Sequence, residues 1–256
     1  MLGDSRDPSQ DALLRVDGFH KAYRNTIAVV DLTFQIVRGE VLGLIGRNGA
    51  GKTTLMRAVA GIIPPTRGTI EVSGFNIRKE SIEAKKRLAY IPDDPKLFEA
   101  LTVWEHLEFI AAAYRLNGFE EKAERLIDQF NLGEKRNVYC QELSRGMRQK
   151  VAICCALLHS PQLLLLDEPL TGLDPQGIRM IKKVIQELAR NDSAIILSSH
   201  LLALVEDICT KYLIIDRGEM KFFGEATAAV NAFADLRSDA TLEQIFFRAT
   251  EPEPKT

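Results

Sequence analysis

Hydrophobic positions in this chain fall into short clusters, and two spacings recur along it. Residues 14–37 read as two strands around a turn near Arg24-Asn25. Residues 41–45, V-L-G-L-I, are wholly apolar and lead into a glycine-rich loop. A helix is predicted from about 53 to 60, with Gly61 placed to end it and Pro64 and Pro65 just beyond. Residues 69–77 alternate as a strand does, and 87–91 read as another. From about 96 to 137 the pattern turns helical. Thr102-Val103-Trp104-Glu105 has capping-box spacing, and Ala123, Leu126, Ile127 and Phe130 recur at helical intervals, with Glu120, Glu121, Glu124 and Arg125 on other faces.

The alternation of strand and helix then resumes. A helix is predicted over about 144–159, a strand over 163–166, a helix over 178–189 and a strand over 194–198. Both strands are apolar, as parallel strands covered on two faces should be. Residues 213–223, broken by Asp216-Arg217-Gly218, read as a hairpin, and 241–249 as a short last helix. The polar residues 1–11 are expected to be disordered, and the ending E-P-E-P-K-T to fray.

Composition narrows the partners. With 256 residues the chain is one large domain or two small ones, and its net charge of −2 gives no bulk support for nucleic-acid or membrane-surface binding. No apolar run approaches the ~18 residues that span a bilayer. The longest candidate, 151–158, is ended by His159, Ser160, Pro161 and Gln162, and the first residues have no apolar core of a signal peptide. A cytoplasmic protein is expected, with any membrane role coming through a partner. Cys140, Cys154, Cys155 and Cys209 have no metal or disulfide spacing and are expected to be reduced core thiols.

Gly46-Arg47-Asn48-Gly49-Ala50-Gly51-Lys52-Thr53, followed by Thr54, matches the phosphate-loop pattern G-x-x-x-x-G-K-[ST]. Glycines let backbone N–H groups turn inward around a phosphate, and the helix that follows adds positive character at its N-terminus. Lys52 is expected on the terminal phosphates and the Thr53 hydroxyl on Mg²⁺. A second constellation, Leu163-Leu164-Leu165-Leu166-Asp167-Glu168-Pro169, puts two carboxylates at the end of a buried strand. Asp167 is expected to hold Mg²⁺, usually through water, and Glu168 to polarise the attacking water.

Leu143-Ser144-Arg145-Gly146-Met147-Arg148-Gln149-Lys150 resembles the L-S-G-G-Q signature of ATP-binding cassette proteins, with Arg145 and Met147 departing from it. The resemblance covers residues 13–225. It implies a P-loop α/β core with an antiparallel β subdomain and a helical subdomain. ATP would lie between one subunit's phosphate loop and Ser144 and Gly146 of a second subunit, in a homodimer or heterodimer. Thr171-Gly172-Leu173-Asp174-Pro175 resembles the loop that crosses the dimer interface through its Asp, here Asp174. Ser198-Ser199-His200 resembles the switch that brings a histidine, here His200, to the γ-phosphate. Tyr23 stands where the family stacks an aromatic on adenine, although a core strand aromatic would look the same. Asp93 occupies the place of a Gln that touches Mg²⁺ and is expected near the metal. His20, His106 and His159 match nothing and are read as structural.

The implied organisation is a disordered segment 1–11, an ATP-binding domain 12–225 with a helical insertion at about 96–140, and a C-terminal helical extension and tail 226–256. The implied function is an ATP-hydrolysing transporter subunit, bound at the inner face of the membrane through an integral membrane subunit. T-L-E-Q-I-F-F-R-A-T resembles the short last helix of exporter-type subunits. Leu97, Phe98, Leu101 and Trp104 lie in the region that receives a cytoplasmic helix of the membrane subunit in the family. A soluble cassette ATPase of translation or DNA repair is the alternative. The sequence shows one cassette where those of translation usually have two, and neither the long coiled coil nor the zinc modules of those in repair. A small-molecule kinase would lack the signature helix.

Overall fold

The computed structural model describes residues 12–204, 206–233 and 240–251. The segment 1–11, expected to be disordered, and residues 252–256 of the ending expected to fray lie outside the described residues.

In chain order the elements begin with β1 (Ala12–Tyr23), β2 (Thr26–Val37), β3 (Val41–Ile45) and α1 (Lys52–Val59). Then follow β4 (Arg67–Val72), β5 (Phe75–Asn76), α2 (Ser81–Lys85), β6 (Leu88–Ile91), α3 (Val103–Tyr114), α4 (Glu120–Gln129) and α5 (Arg145–Leu158). The last are β7 (Leu163–Asp167), α6 (Pro175–Arg190), β8 (Ala194–Ser198), β9 (Lys211–Asp216), β10 (Glu219–Glu225), α7 (Ala226–Ala229) and α8 (Leu242–Thr250).

Two differences from the sequence reading stand out. The stretch 69–77 is not one strand: Ser73 and Gly74, at φ 49° and 81°, turn β4 back into β5. The apolar alternation runs on through the turn, which hid it. The helix expected from 178 begins earlier, at Pro175, because the Asp174 carboxylate accepts the Gly177 N–H at 2.7 Å and Pro suits the first turn.

Two sheets result. Four antiparallel strands run in the order β2-β1-β4-β5, and six strands in the order β10-β9-β3-β8-β7-β6. In the larger sheet β9, β3, β8, β7 and β6 are parallel, with β10 antiparallel at the edge. Its apolar strands divide their side chains between two cores. Leu163, Leu165, Ile196, Leu42 and Leu44 pack against α1 and the antiparallel sheet. Leu164, Leu166, Ile195 and Leu197 pack against α5 and α6, and α3 and α4 join the same core through Val103, Leu107, Ala123 and Ile127. The run of leucines is therefore still a period-two strand, with an apolar partner on each face. Thr102 and Thr241 form complete capping boxes on α3 and α8. All four cysteines are buried and free, as expected.

Leu165 is fully buried in the core that the parallel sheet shares with α1 and the antiparallel sheet. Leu165→Ala is expected to destabilise the chain by about 2–5 kcal/mol, the usual cost of a core Leu→Ala cavity. Urea unfolding measures it, and a loss below about 1 kcal/mol would mean that this core is not closely packed at residue 165.

Candidate nucleotide site

The parallel register of β7 and β8 sets Asp167 opposite Ser198 at the same edge of the sheet. Ser198 Oγ donates to Asp167 Oδ1 at 2.6 Å. Tyr90, on the neighbouring β6, donates its phenol to Asp167 Oδ2 at 3.4 Å. Burial first, and the Asp167 charge second, push the Tyr90 phenol up to about 12, so it remains a donor at neutral pH; Arg57 of α1 faces the same hydroxyl. Asp167 is thus a buried carboxylate held by two hydroxyls from its flanking strands.

The next residue leaves the strand sharply. Glu168 has φ 51°, a left-handed conformation uncommon for such a side chain. Its N–H is taken by Ser198, through the backbone carbonyl at 3.2 Å and Oγ at 3.1 Å. Its carboxylate meets His200, with Oε2 at 3.2 Å from the His200 backbone N–H and 2.8 Å from Nδ1. The imidazole is half exposed while Glu168 is mostly covered.

The phosphate loop leaves the end of β3 and opens α1. Gly46 and Gly51 are required for different reasons. A Cβ on Gly46 would lie 2.5 Å from the Ile215 carbonyl oxygen. Gly51 has φ 110°, and its Cβ would lie 2.7 Å from the Ala28 carbonyl oxygen. The loop is pinned from behind, since Gly218 N–H donates to Ala50 O at 3.0 Å and Val30 N–H to Gly218 O at 2.8 Å. Lys52 is buried, and its Nζ donates to Gly46 O at 2.6 Å. Burial lowers its pKa, opposed by the charges of Glu168 and then Asp167. β3, β8 and β7 lie side by side in the sheet, so the loop and the Asp167-Glu168 strand end leave it at a single site. Thr53, in the first turn of α1, is exposed.

A second group gathers at the start of α5. Ser144 is its N-cap and accepts the Met147 N–H at 3.3 Å. A Cβ on Gly146 would sit 3.4 Å from the Gly172 carbonyl oxygen, so this helix start abuts the loop 171–175. Asp174 spends its carboxylate on capping α6. Tyr23 ends β1 with its ring 44% exposed and Lys21 Nζ 4.9 Å from its centroid. Asp93 is exposed, and its partner is Arg145 of the α5 start.

The remaining histidines have structural partners. His106 Nδ1 pairs with Thr102 O and its Nε2 accepts the Phe98 N–H, each at 2.9 Å, which fixes the orientation of the ring. His159 stacks on Tyr114, with centroids 3.9 Å apart. His20 is buried beside Asp31. Tyr90 and Ser198 are the two residues of this site to which the sequence alone assigns no separate task. A serine pair closing the apolar run A-I-I-L was the available signal for one of them.

A phosphate loop opening a helix beside a buried strand that ends in Asp-Glu defines a P-loop nucleotide hydrolase. The profile of the ABC transporter family matches residues 29–171, more than half of the chain. EcsA of Bacillus subtilis (strain 168), an ABC-type transporter ATP-binding protein, is 32% identical over 94% of this chain and 98% of its own. Nod factor export ATP-binding protein I of Cupriavidus pinatubonensis is 32% identical over 82% of this chain and 66% of its own. A solved structure of the ATP-binding subunit of an ABC transporter superposes with TM-score 0.89 at 34% identity, covering 93% of this chain and all of that one. The chain belongs to the ABC transporter family, as an ATP-binding, ATP-hydrolysing subunit.

Ser198→Ala removes a hydroxyl from a buried carboxylate. It is expected to cost about 1–3 kcal/mol, the penalty of leaving a buried polar group short of a partner. Unfolding in denaturant reads this directly, and an unchanged midpoint would show that Asp167 does not depend on Ser198.

Proposed function

We propose that this chain is the ATP-driven motor of a membrane exporter, acting as a dimer that closes on two ATP molecules. The observation that carries the reading is the carboxylate of Glu168, seated on His200 beside the phosphate loop. The N–H groups of the loop 46–51 and the first turn of α1, with Thr53 and Thr54, cradle the phosphates. Lys52 exchanges its bond to Gly46 O for the terminal phosphates. Glu168 orients and deprotonates the attacking water, while His200 fixes that carboxylate and faces the γ-phosphate. Tyr23 offers an exposed ring for adenine.

Among the described residues no group of three or more His, Cys, Asp or Glu could hold a metal ion. Mg²⁺ ordinarily takes one or two carboxylates and completes its shell with phosphate oxygens and water, and buried Asp167 with the Thr53 hydroxyl fits that pattern. When bound, Mg²⁺ neutralises charge on the β- and γ-phosphates.

Ser144 and Gly146 serve the partner's ATP. The N-cap bond uses a lone pair of Ser144 Oγ and leaves its O–H free to donate. Gly146 keeps the helix start low, and the loop carrying Asp174 lies against it. These features support a site shared between two subunits.

Among the described residues no helix is long and apolar enough to cross a membrane. Attachment at the cytoplasmic face is therefore assigned to an integral membrane subunit. An apolar groove of about 520 Å³, lined by Ile62, Ile91, Pro95, Leu97, Ile110 and Tyr114, lies between α3, α5 and β6. Beside it Phe98 is 54% exposed, packed edge-on against Phe109 with its backbone held by His106. A helix-in-groove contact suits this surface. Trp104 is engaged within the chain, under the Arg136 guanidinium at 3.8 Å, so Phe98 and Leu97 carry the docking role. Export is supported by the Nod factor export relative.

Glu168→Gln is expected to retain ATP binding, lower hydrolysis by about 10²–10⁴-fold and trap an ATP-bound dimer. Phosphate release and size-exclusion chromatography with ATP measure both, and wild-type turnover would remove Glu168 from the base role. Phe98→Asp is expected to weaken co-purification with the membrane subunit from detergent extract while the free chain still binds ATP. Undiminished co-purification would refute the docking role.

A further inference from the structure

Two positions that depart from the family pattern, 52 residues apart in sequence, touch in space: Arg145 Nη2 donates to Asp93 Oδ1 at 2.8 Å. Asp93 lies two residues beyond β6, the strand whose Tyr90 holds Asp167. Arg145 is the first residue of α5, directly after Ser144. Its side chain also runs along the loop 171–175, since a Cβ on Gly172 would lie 3.5 Å from Arg145 Cδ. One guanidinium thus gathers the loop after β6, the start of α5 and the loop that carries Asp174.

We propose that the Asp93–Arg145 pair is a positioning clamp: Asp93 is the counter-ion of the signature helix and not a metal ligand. Through the pair, the Ser144 end of α5 is held in fixed relation to the strand end that carries the chain's own Asp167. The inference rests on the reading that Ser144 serves the partner's ATP. It then links the two nucleotides, because Tyr90 is bonded to Asp167, the chain runs from Tyr90 through Ile91 and Pro92 to Asp93, and Asp93 pairs with Arg145 next to Ser144.

Charge favours this assignment. A bare carboxylate beside phosphates is repelled by them, whereas one already matched to a guanidinium is not. To ligate a metal, Asp93 would have to leave Arg145 without its partner. Both side chains are about half exposed, at 48% and 52%, so the pair is screened by salt and acts through placement more than through raw strength.

The test is a double-mutant cycle of Asp93→Asn and Arg145→Met, read as ATP turnover against ATP and Mg²⁺ concentration. Each single variant is expected to lower kcat by about two- to fivefold, the fold-change equivalent of an exposed ion pair. The Mg²⁺ concentration for half-maximal turnover and the urea midpoint should stay unchanged. The double variant should be no worse than the poorer single one, since only interacting residues depart from additivity. Arg145→Lys, and the exchanged chain with Asp93→Arg and Arg145→Asp, should recover most of the loss. Additive effects, failure of the exchanged chain to recover, or a several-fold higher Mg²⁺ requirement in Asp93→Asn would overturn the clamp. The trapped dimer of Glu168→Gln separates the two readings. If it forms and the cycle is additive, the clamp alone fails; if no dimer forms, the shared site fails and the clamp loses its basis with it.

Discussion

The structure depends on the burial of five parallel strands on both faces. Within such a sheet no side chain can be polar without a partner, so polar chemistry is driven to the strand ends. Asp167 and Ser198 are the first polar residues their strands reach, and register places them side by side. β6 adds Tyr90 from the flank, and β3 delivers the phosphate loop to the same edge. The site is therefore a product of sheet order: β3, β8, β7 and β6 lie next to one another, so that segments distant in sequence end together.

The same logic separates what was legible in the sequence from what was not. The phosphate loop, the Asp-Glu strand end and the Ser144 N-cap are contiguous strings whose spacing is itself the chemistry. The leucine strand at 163–166 could be read because a short apolar run closed by Asp167-Glu168-Pro169 has the length of a covered strand. The turn at Ser73-Gly74 could not, since alternation continues on both sides of it. Short α2, with no side-chain cap, gave little signal. Contacts set by register were also hidden. Nothing local to Tyr90 says that its hydroxyl reaches residue 167, and nothing local to Asp93 or Arg145 says that they meet.

The cassette is also divided in its packing. One core couples the parallel sheet to α1 and the antiparallel sheet, and the other couples it to α3, α4, α5 and α6. In the proposed reading the first side holds the chain's own nucleotide, while the second carries the groove for the membrane subunit and the face presented to the partner. The strand ends, with the loops that leave them, are where the two sides meet.

Glu168 shows what this arrangement demands of the backbone. A left-handed φ on a non-glycine residue costs on the order of 1–3 kcal/mol when the surroundings impose it. Glycine or asparagine would sit there with less strain, and the fold would gain from either. Neither could supply a carboxylate to His200. In the proposed reading, stability and activity pull in opposite directions at this position, so a search for sturdier variants of this chain would be drawn towards inactive ones at residue 168.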